Sequence, residues 1–466
     1  MKYAVFFMAL LGVPPLALIL SLNKAWAKYV AWAMIGALAV YQATAINFFS
    51  HEEYRGSSRG MEVSVVYLLA LAFMIMAAIK GRLPKLIPSF GAFLFVVYFL
   101  LCLPSLATAE NRLYSWMEIW KMIMLYLTYL SIRAYLNVTD DVKSLVKGLA
   151  AFAVWNLLLL AKDHLSGVYQ PHGSFPHQNC LAMAMHLFAN MFFAIYLIDG
   201  WRKSWLNVAA FVAAGGCIVR TYSRGAMAMI PISFFVTFTL TFLFAVKSSR
   251  GRLFVRILPL AVVGLLGVAA ILPRVVERFK SAPEASANTR VELALCAREM
   301  IMDEPWRGIG INNWGIKINP PYDYAERAGR IVNRGEDFKD GIVETVYLLV
   351  GAECGIPALV AMIAWFLFYL FKCMFLSKRL SGSSYAAVPA GLAGGLVACY
   401  LQSCLEWVLR QQMNLILLMI FFALLDHLHA NAKRLSAQEQ KPVGRCAPTP
   451  PQLNTQEIQK GASNVL

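Results

Sequence analysis

Asn288-Thr289-Arg290-Val291-Glu292 and, further on, Asp303-Glu304-Pro305-Trp306-Arg307-Gly308-Ile309-Gly310-Ile311-Asn312-Asn313-Trp314 are the densest part of a polar stretch, residues 273–341, set between long apolar runs. The stretch holds eleven Lys/Arg and eleven Asp/Glu. The whole chain of 466 residues is 59% hydrophobic and 15% charged. Apolar runs on that scale cannot all be hidden in one soluble core, so the chain reads as a polytopic membrane protein. The polar stretch is then the place outside the bilayer large enough for a sizeable polar site. Its local pattern predicts a short helix with Arg290 near its start, a proline-terminated end and a glycine-rich turn.

Working outward, runs of membrane length lie at 1–22, 29–49, 63–79, 86–107, 116–135, 145–161, 180–198, 205–219, 225–246 and 253–272, and after the stretch at 346–375, 386–409 and 413–428. The fold class is all-α, a transmembrane helix bundle of about 12–13 spans with one large periplasmic loop. The expected organisation is N-terminal transmembrane helices over 1–272, the loop over 273–343, C-terminal transmembrane helices over 344–429 and a disordered cytoplasmic tail over 430–466. Residues 1–22 resemble a signal peptide, but the single Lys2 and the lack of a small-residue cleavage site favour a span.

The net charge of +16 would suggest nucleic acid in a soluble chain. Here the basic residues cluster in alternate connections, at Lys24/Lys28, Lys80/Arg82/Lys85, Lys143/Lys147, Arg202/Lys203, Lys247/Arg250/Arg252/Arg256 and Lys378/Arg379. That is the pattern of cytoplasmic loops, and no nucleic-acid partner is expected. The remaining connections face out, with the N-terminus outside, or inside if the Pro14-Pro15 segment does not fully cross. The nine cysteines have no C-x-x-C spacing and read as small core residues.

All outward connections but the first two are read as offering groups that bind an anion or move a proton. Arg224, in Thr221-Tyr222-Ser223-Arg224-Gly225-Ala226, sits at the boundary of two spans. An arginine there snorkels or takes an anionic partner, and a guanidinium grips phosphate oxygens bidentately. In Tyr169-Gln170-Pro171-His172-Gly173-Ser174-Phe175-Pro176-His177-Gln178-Asn179, Asn179 is placed to cap the following helix. His172 and His177, with no nearby carboxylate, make a poor metal site. No metal or cofactor is expected. Where the chain returns to the membrane, Glu344 is either a general base with a raised pKa or a first-turn carboxylate stabilised by the helix dipole. Glu353, deeper in that helix, needs an arginine partner inside the bundle. Glu406 and Arg410 have the spacing to pair with each other on a helix.

These motifs, in their order, resemble the O-antigen ligase and polymerase superfamily of inverting, metal-independent bacterial membrane glycosyltransferases with GT-C type architecture. Residues 175–182 resemble the family's Gly/Phe-x-x-x-Asn-x-x-Ala segment, and 221–226 its Thr-x-Ser-Arg-Gly-Ala turn. Residues 288–310 are similar to its Arg…Pro-x-x-Gly-Ile-Gly loop helix, and 344–357 to its return helix with Leu-x-x-x-x-Glu-x-Gly-Ile-Pro. The resemblance covers about 170–430. It implies that Arg224 and Arg290 bind the diphosphate of an undecaprenyl-diphosphate-linked glycan. Beside it, the residues themselves offer Glu344 as candidate base, since a carboxylate can activate an acceptor hydroxyl, and Arg307, Arg334, His177 and Asn179 as secondary contacts. The resemblance also implies an inner-membrane enzyme with its active face in the periplasm, acting on a glycan or glycolipid acceptor. Ligases carry His-Asn where this chain has Glu344-Thr345. A Wzy-type polymerase is the alternative to a ligase, and a polyprenyl-linked glycan flippase or transporter the alternative to an enzyme.

Overall fold

The computed structural model describes residues 2–168, 170–200, 204–244, 250–258, 284–329 and 341–440, with single positions 260 and 276. Apart from short turns it is built of helices: α1 (Lys2–Leu11), α2 (Val13–Leu22), α3 (Lys24–Ala37), α4 (Val65–Ile79), α5 (Phe90–Cys102), α6 (Arg112–Thr139), α7 (Val142–Leu165), α8 (Gln178–Asp199), α9 (Trp205–Arg220), α10 (Arg224–Phe244), α11 (Glu284–Asp303), α12 (Val346–Arg379), α13 (Ala387–Gln402) and α14 (Gln412–Ala430). Among the described residues eight helical segments are long and apolar enough to cross a membrane, and α4 and α9 are shorter apolar helices. The chain is an all-α polytopic membrane bundle. The span expected at 253–272 lies mostly outside the described residues.

α8 is the axis of the bundle. Nearly its whole surface is buried, the condition under which a helix can be apolar all round. α13 packs along it, and Gly391 and Gly395 bring its backbone against Asn190, Met191 and Leu187. Small residues at such a seam replace the hydrophobic drive that lipid removes. Both helices run the length of the bundle, so the start of α8 and the end of α13 share one end with the starts of α10 and α12.

Two expected spans end early at that same end. The run at 29–49 is regular α-helix as far as Ala37, then passes through a 3₁₀ turn (Leu38–Val40) and a four-residue helix (Tyr41–Thr44). It finishes as strand β1 (Ile46–Phe48), paired antiparallel with β2 (Met61–Val63) in the register Asn47↔Glu62. The run at 386–409 stops being helical at Gln402, and 403–411 cross the end of the bundle as an irregular segment with a 3₁₀ turn (Val408–Arg410). The expected Glu406–Arg410 pair at helical spacing therefore does not form. Each side chain leaves the helix to reach an opposite charge elsewhere. The expected tail opens with a helix (Ala432–Gln440), and 441–466 lie outside the described residues.

The polar stretch folds onto the same end. α11 has 20 residues, longer than the short helix expected, with Arg290 in its second turn. It stops at Asp303 before Pro305, as the proline requires. Leu293, Cys296 and Met300 of α11 pack with Ile309, Trp314, Val343 and Leu349 in a core separate from the main bundle. The glycine-rich turn then docks, backbone to backbone, on a break in α12. Gly355 has φ 82° and ψ 170°, which interrupts the helix. Across the break Ile309 N–H donates to Ala352 O at 2.9 Å, Gly310 N–H to Glu353 O at 3.1 Å and Ile356 N–H to Pro305 O at 2.8 Å. The groups that the helix leaves unpaired are thus met by the turn, as burial demands.

Candidate active site

Beneath the docked turn lies a buried ionic cluster. Arg410 Nη1 donates to Glu353 Oε2 at 2.6 Å and Arg410 Nε to Glu118 Oε1 at 3.1 Å. Lys121 Nζ pairs with Glu118 Oε2 at 2.6 Å and donates to Arg410 O at 3.1 Å. All four side chains are buried. Ser57 Oγ, from the β1–β2 hairpin, donates to Glu118 at 2.9 Å, and Trp314 N–H donates to the other oxygen of Glu353 at 3.2 Å. Asn312 Nδ2 donates to Ser58 O at 2.9 Å and to Tyr114 O at 2.8 Å, while its Oδ1 accepts from Ser58 N–H at 3.1 Å. Hairpin, polar stretch, α6, α12 and segment 403–411 are tied together by charge and amide pairing. The partner expected for Glu353 is Arg410.

Against this support opens a cavity of about 860 Å³. Its wall includes Arg55, Arg59 and Glu62 of the hairpin, His177 and Asn179 at the start of α8, Arg290 of α11, Glu344 and Glu406. Arg290 Nε donates to Glu344 Oε2 at 2.7 Å, and its Nη2 lies 3.9 Å from Glu406 Oε1. Asn179 Nδ2 donates to the same Glu406 oxygen at 2.8 Å. Burial, and then the charge of Glu344, push the Glu406 carboxyl up to about 7; Arg290, the Asn179 amide and Arg224 pull the other way. One arginine thus faces two carboxylates with unlike environments: Glu344 is 38% exposed and Glu406 9%.

The sequence-predicted residues divide accordingly. Arg290, Glu344, His177 and Asn179 converge on the cavity. Arg224, the first residue of α10, is half-buried and acts on Glu406 through its charge, but it is not among the lining residues. Arg307 is exposed on the docked turn and is not among them either. Arg334 lies outside the described residues. Asn179 does not cap α8: His177 is the N-cap, its Nδ1 accepting from Asn179 N–H at 3.2 Å. This leaves the Asn179 side chain for Glu406. Burial pushes the His177 imidazole below its ordinary pKa, in keeping with a neutral ring whose Nδ1 accepts.

Arg55, Arg59, Glu62 and Glu406 were missed. Arg55-Gly56-Ser57-Ser58-Arg59, in the first outward connection, puts two arginines on the face where basic residues are scarce. That breach of the charge rule was the available signal. Glu406 was hidden by reading 386–409 as one helix.

The described residues thus form a polytopic helix bundle with a polar cap over a charged cavity at one end. Residues 209–363, a third of the chain, match the family model described as O-antigen ligase (Wzy_C), and this finding supports the O-antigen ligase family. The match spans α9 to the first half of α12 and contains Arg224, Arg290, Glu344 and Glu353; Glu406 and the hairpin lie beyond it. No curated protein matches the chain. The family is one of glycosyltransferase-like membrane enzymes of O-antigen assembly.

Proposed function

We propose that the cavity transfers a glycan from a polyprenyl diphosphate to an acceptor hydroxyl at the periplasmic face of the inner membrane, without a metal. The observation that carries this reading is the position of Arg290 between Glu344 and Glu406 in a cavity that also holds Arg55 and Arg59. A diphosphate entering the cavity displaces carboxylate from Arg290, since the guanidinium binds the more highly charged oxyanion in the same bidentate manner. Glu344 is thereby released next to the bound donor. It takes the proton from the acceptor hydroxyl as that oxygen attacks the anomeric carbon. The bond from that carbon to the diphosphate oxygen breaks, and the diphosphate leaves with its electron pair. Arg290, with Arg224 behind Glu406, stabilises the charge that grows on the leaving group. Arg307 and Arg334 are proposed only as secondary contacts to sugar or phosphate.

The test is transfer in proteoliposomes containing polyprenyl-diphosphate glycan and no added divalent metal, comparing the unaltered chain with Arg290→Ala, Arg224→Ala and Glu344→Gln. Product from the unaltered chain, lost in the variants while they remain folded, is the expected result. Movement of the lipid across the bilayer with no transferred glycan overturns the enzyme reading in favour of a flippase. Full activity in Glu344→Gln moves the base to another group.

A further inference from the structure

A second large cavity, of about 950 Å³, lies at the opposite end of α8 and α13. It is walled by the last residues of α8, the start of α7, the start of α9 and the turn before α13. α8 has 22 residues, so the two cavities are about 33 Å apart along it, a membrane thickness. Among the described residues, Lys143, Lys147, Arg252 and Arg256 line it, with one carboxylate, that of Asp199. Arg256 is held in place from the end of α8: its Nη1 donates to Ile198 O at 2.6 Å and to Leu197 O at 2.5 Å. The flanks are apolar and exposed, with Trp205 on the wall at 76% exposure and Phe254 and Val255 beside it at 55% and 72%. An indole at the end of a span marks the headgroup level of a bilayer.

We infer that this cavity binds the headgroup of an anionic phospholipid from the leaflet opposite the candidate active site. Among the described lining residues four cations stand against one carboxylate, a net positive field that a phosphate diester neutralises. The exposed apolar flanks suit acyl chains that remain in the bilayer, which a soluble phosphate compound would leave uncovered. Basic residues at a membrane face are also the ordinary mark of loop orientation. The distinction is that these four surround a cavity between helices, where a headgroup can be enclosed.

The experiment measures lipid retained by the full chain, purified from phosphatidylcholine nanodiscs doped with phosphatidylglycerol and analysed by native mass spectrometry. Three chains are compared: the unaltered one, Lys143→Ala/Lys147→Ala, and the charge-matched control Lys80→Ala/Lys85→Ala, which alters an exposed turn elsewhere on the same face. One phosphatidylglycerol retained in the unaltered and control chains, with retention about tenfold or more weaker in Lys143→Ala/Lys147→Ala, is the expected result. Equal losses in both variants overturn the inference, because the attraction is then that of a diffuse basic face. Equal retention in all three overturns it too. Displacement of the lipid by millimolar inorganic phosphate would reassign the pocket to a soluble anion. A melting curve for each variant separates loss of the fold from loss of the pocket.

Discussion

Arg290 is where the chemistry of the candidate site can be separated from its stability. Its pair with Glu344 is more than one-third exposed on both sides, so it contributes about 1 kcal/mol or less to folding. Arg290→Ala is therefore expected to leave the melting temperature in detergent nearly unchanged while transfer falls about 10²-fold or more, the usual effect of removing a preorganised charge. A parallel loss of fold and activity would make the residue structural. Glu406 behaves differently, because its carboxyl is raised from 4.5 to about 7 by burial. The folded state then holds a proton that the unfolded state has released. The stability this brings is complete below about pH 4.5 and is lost as pH rises through about 7, a change on the order of 3 kcal/mol. Glu406→Gln is expected to flatten that decline; an unaltered pH dependence of thermal unfolding between pH 5 and 8 would show that Glu406 does not titrate there.

At the scale of the element, the break in α12 explains why the Pro-x-x-Gly-Ile-Gly turn and the Glu-x-Gly-Ile-Pro segment occur in one chain. Each is shaped by the other. A Cβ on Gly355 would lie 2.6 Å from Trp306 O, and one on Gly308 would lie 2.3 Å from the carbonyl carbon of Glu353. Both glycines have positive φ, 82° and 73°. Backbone stands against backbone here, so no rotamer change can relieve the clash. Gly355→Ala and Gly308→Ala are each expected to cost about 2 kcal/mol or more, read as a lower melting temperature and faster proteolysis of the polar stretch. Alanine variants as resistant as the unaltered chain would mean that the turn does not dock as described.

For the whole molecule, the buried cluster of Arg410, Glu353, Glu118 and Lys121 joins parts of the chain distant in sequence. Breaking such a cluster at one member leaves charge without a partner, at a cost of about 3–5 kcal/mol. Arg410→Ala, which leaves Glu353 without a cation and Glu118 with Lys121 alone, is expected to unfold the site end of the bundle and abolish transfer. Glu118→Gln, which retains a hydrogen-bonding side chain, should cost less. The check is hydrogen exchange across the hairpin and 403–411: deprotection of both in Arg410→Ala, with the opposite end unchanged, fits a local clasp. Uniform deprotection would mean that the cluster supports the whole bundle.

The sequence by itself determined that the chain is a helix bundle in a membrane, because run length and hydrophobicity are local properties and the bilayer permits few alternatives. The end of α11 was also legible, since proline acts on its own backbone; the break at Gly355 was not, because 346–375 reads as one apolar run of membrane length. Glu344 was legible as a charge at the membrane boundary, where it is costly without a purpose, and Arg290 through the loop-helix motif that carries the family resemblance. Which charges meet is settled in space. Arg410 spans from 403–411 to α6 and α12, Glu406 leaves an expected helix to reach Asn179 and Arg290, and two arginines of an overlooked hairpin face the same cavity. Pairing of this kind is set by distance in space between residues up to hundreds apart in the chain, and neither hydrophobic periodicity nor a short motif carries that information.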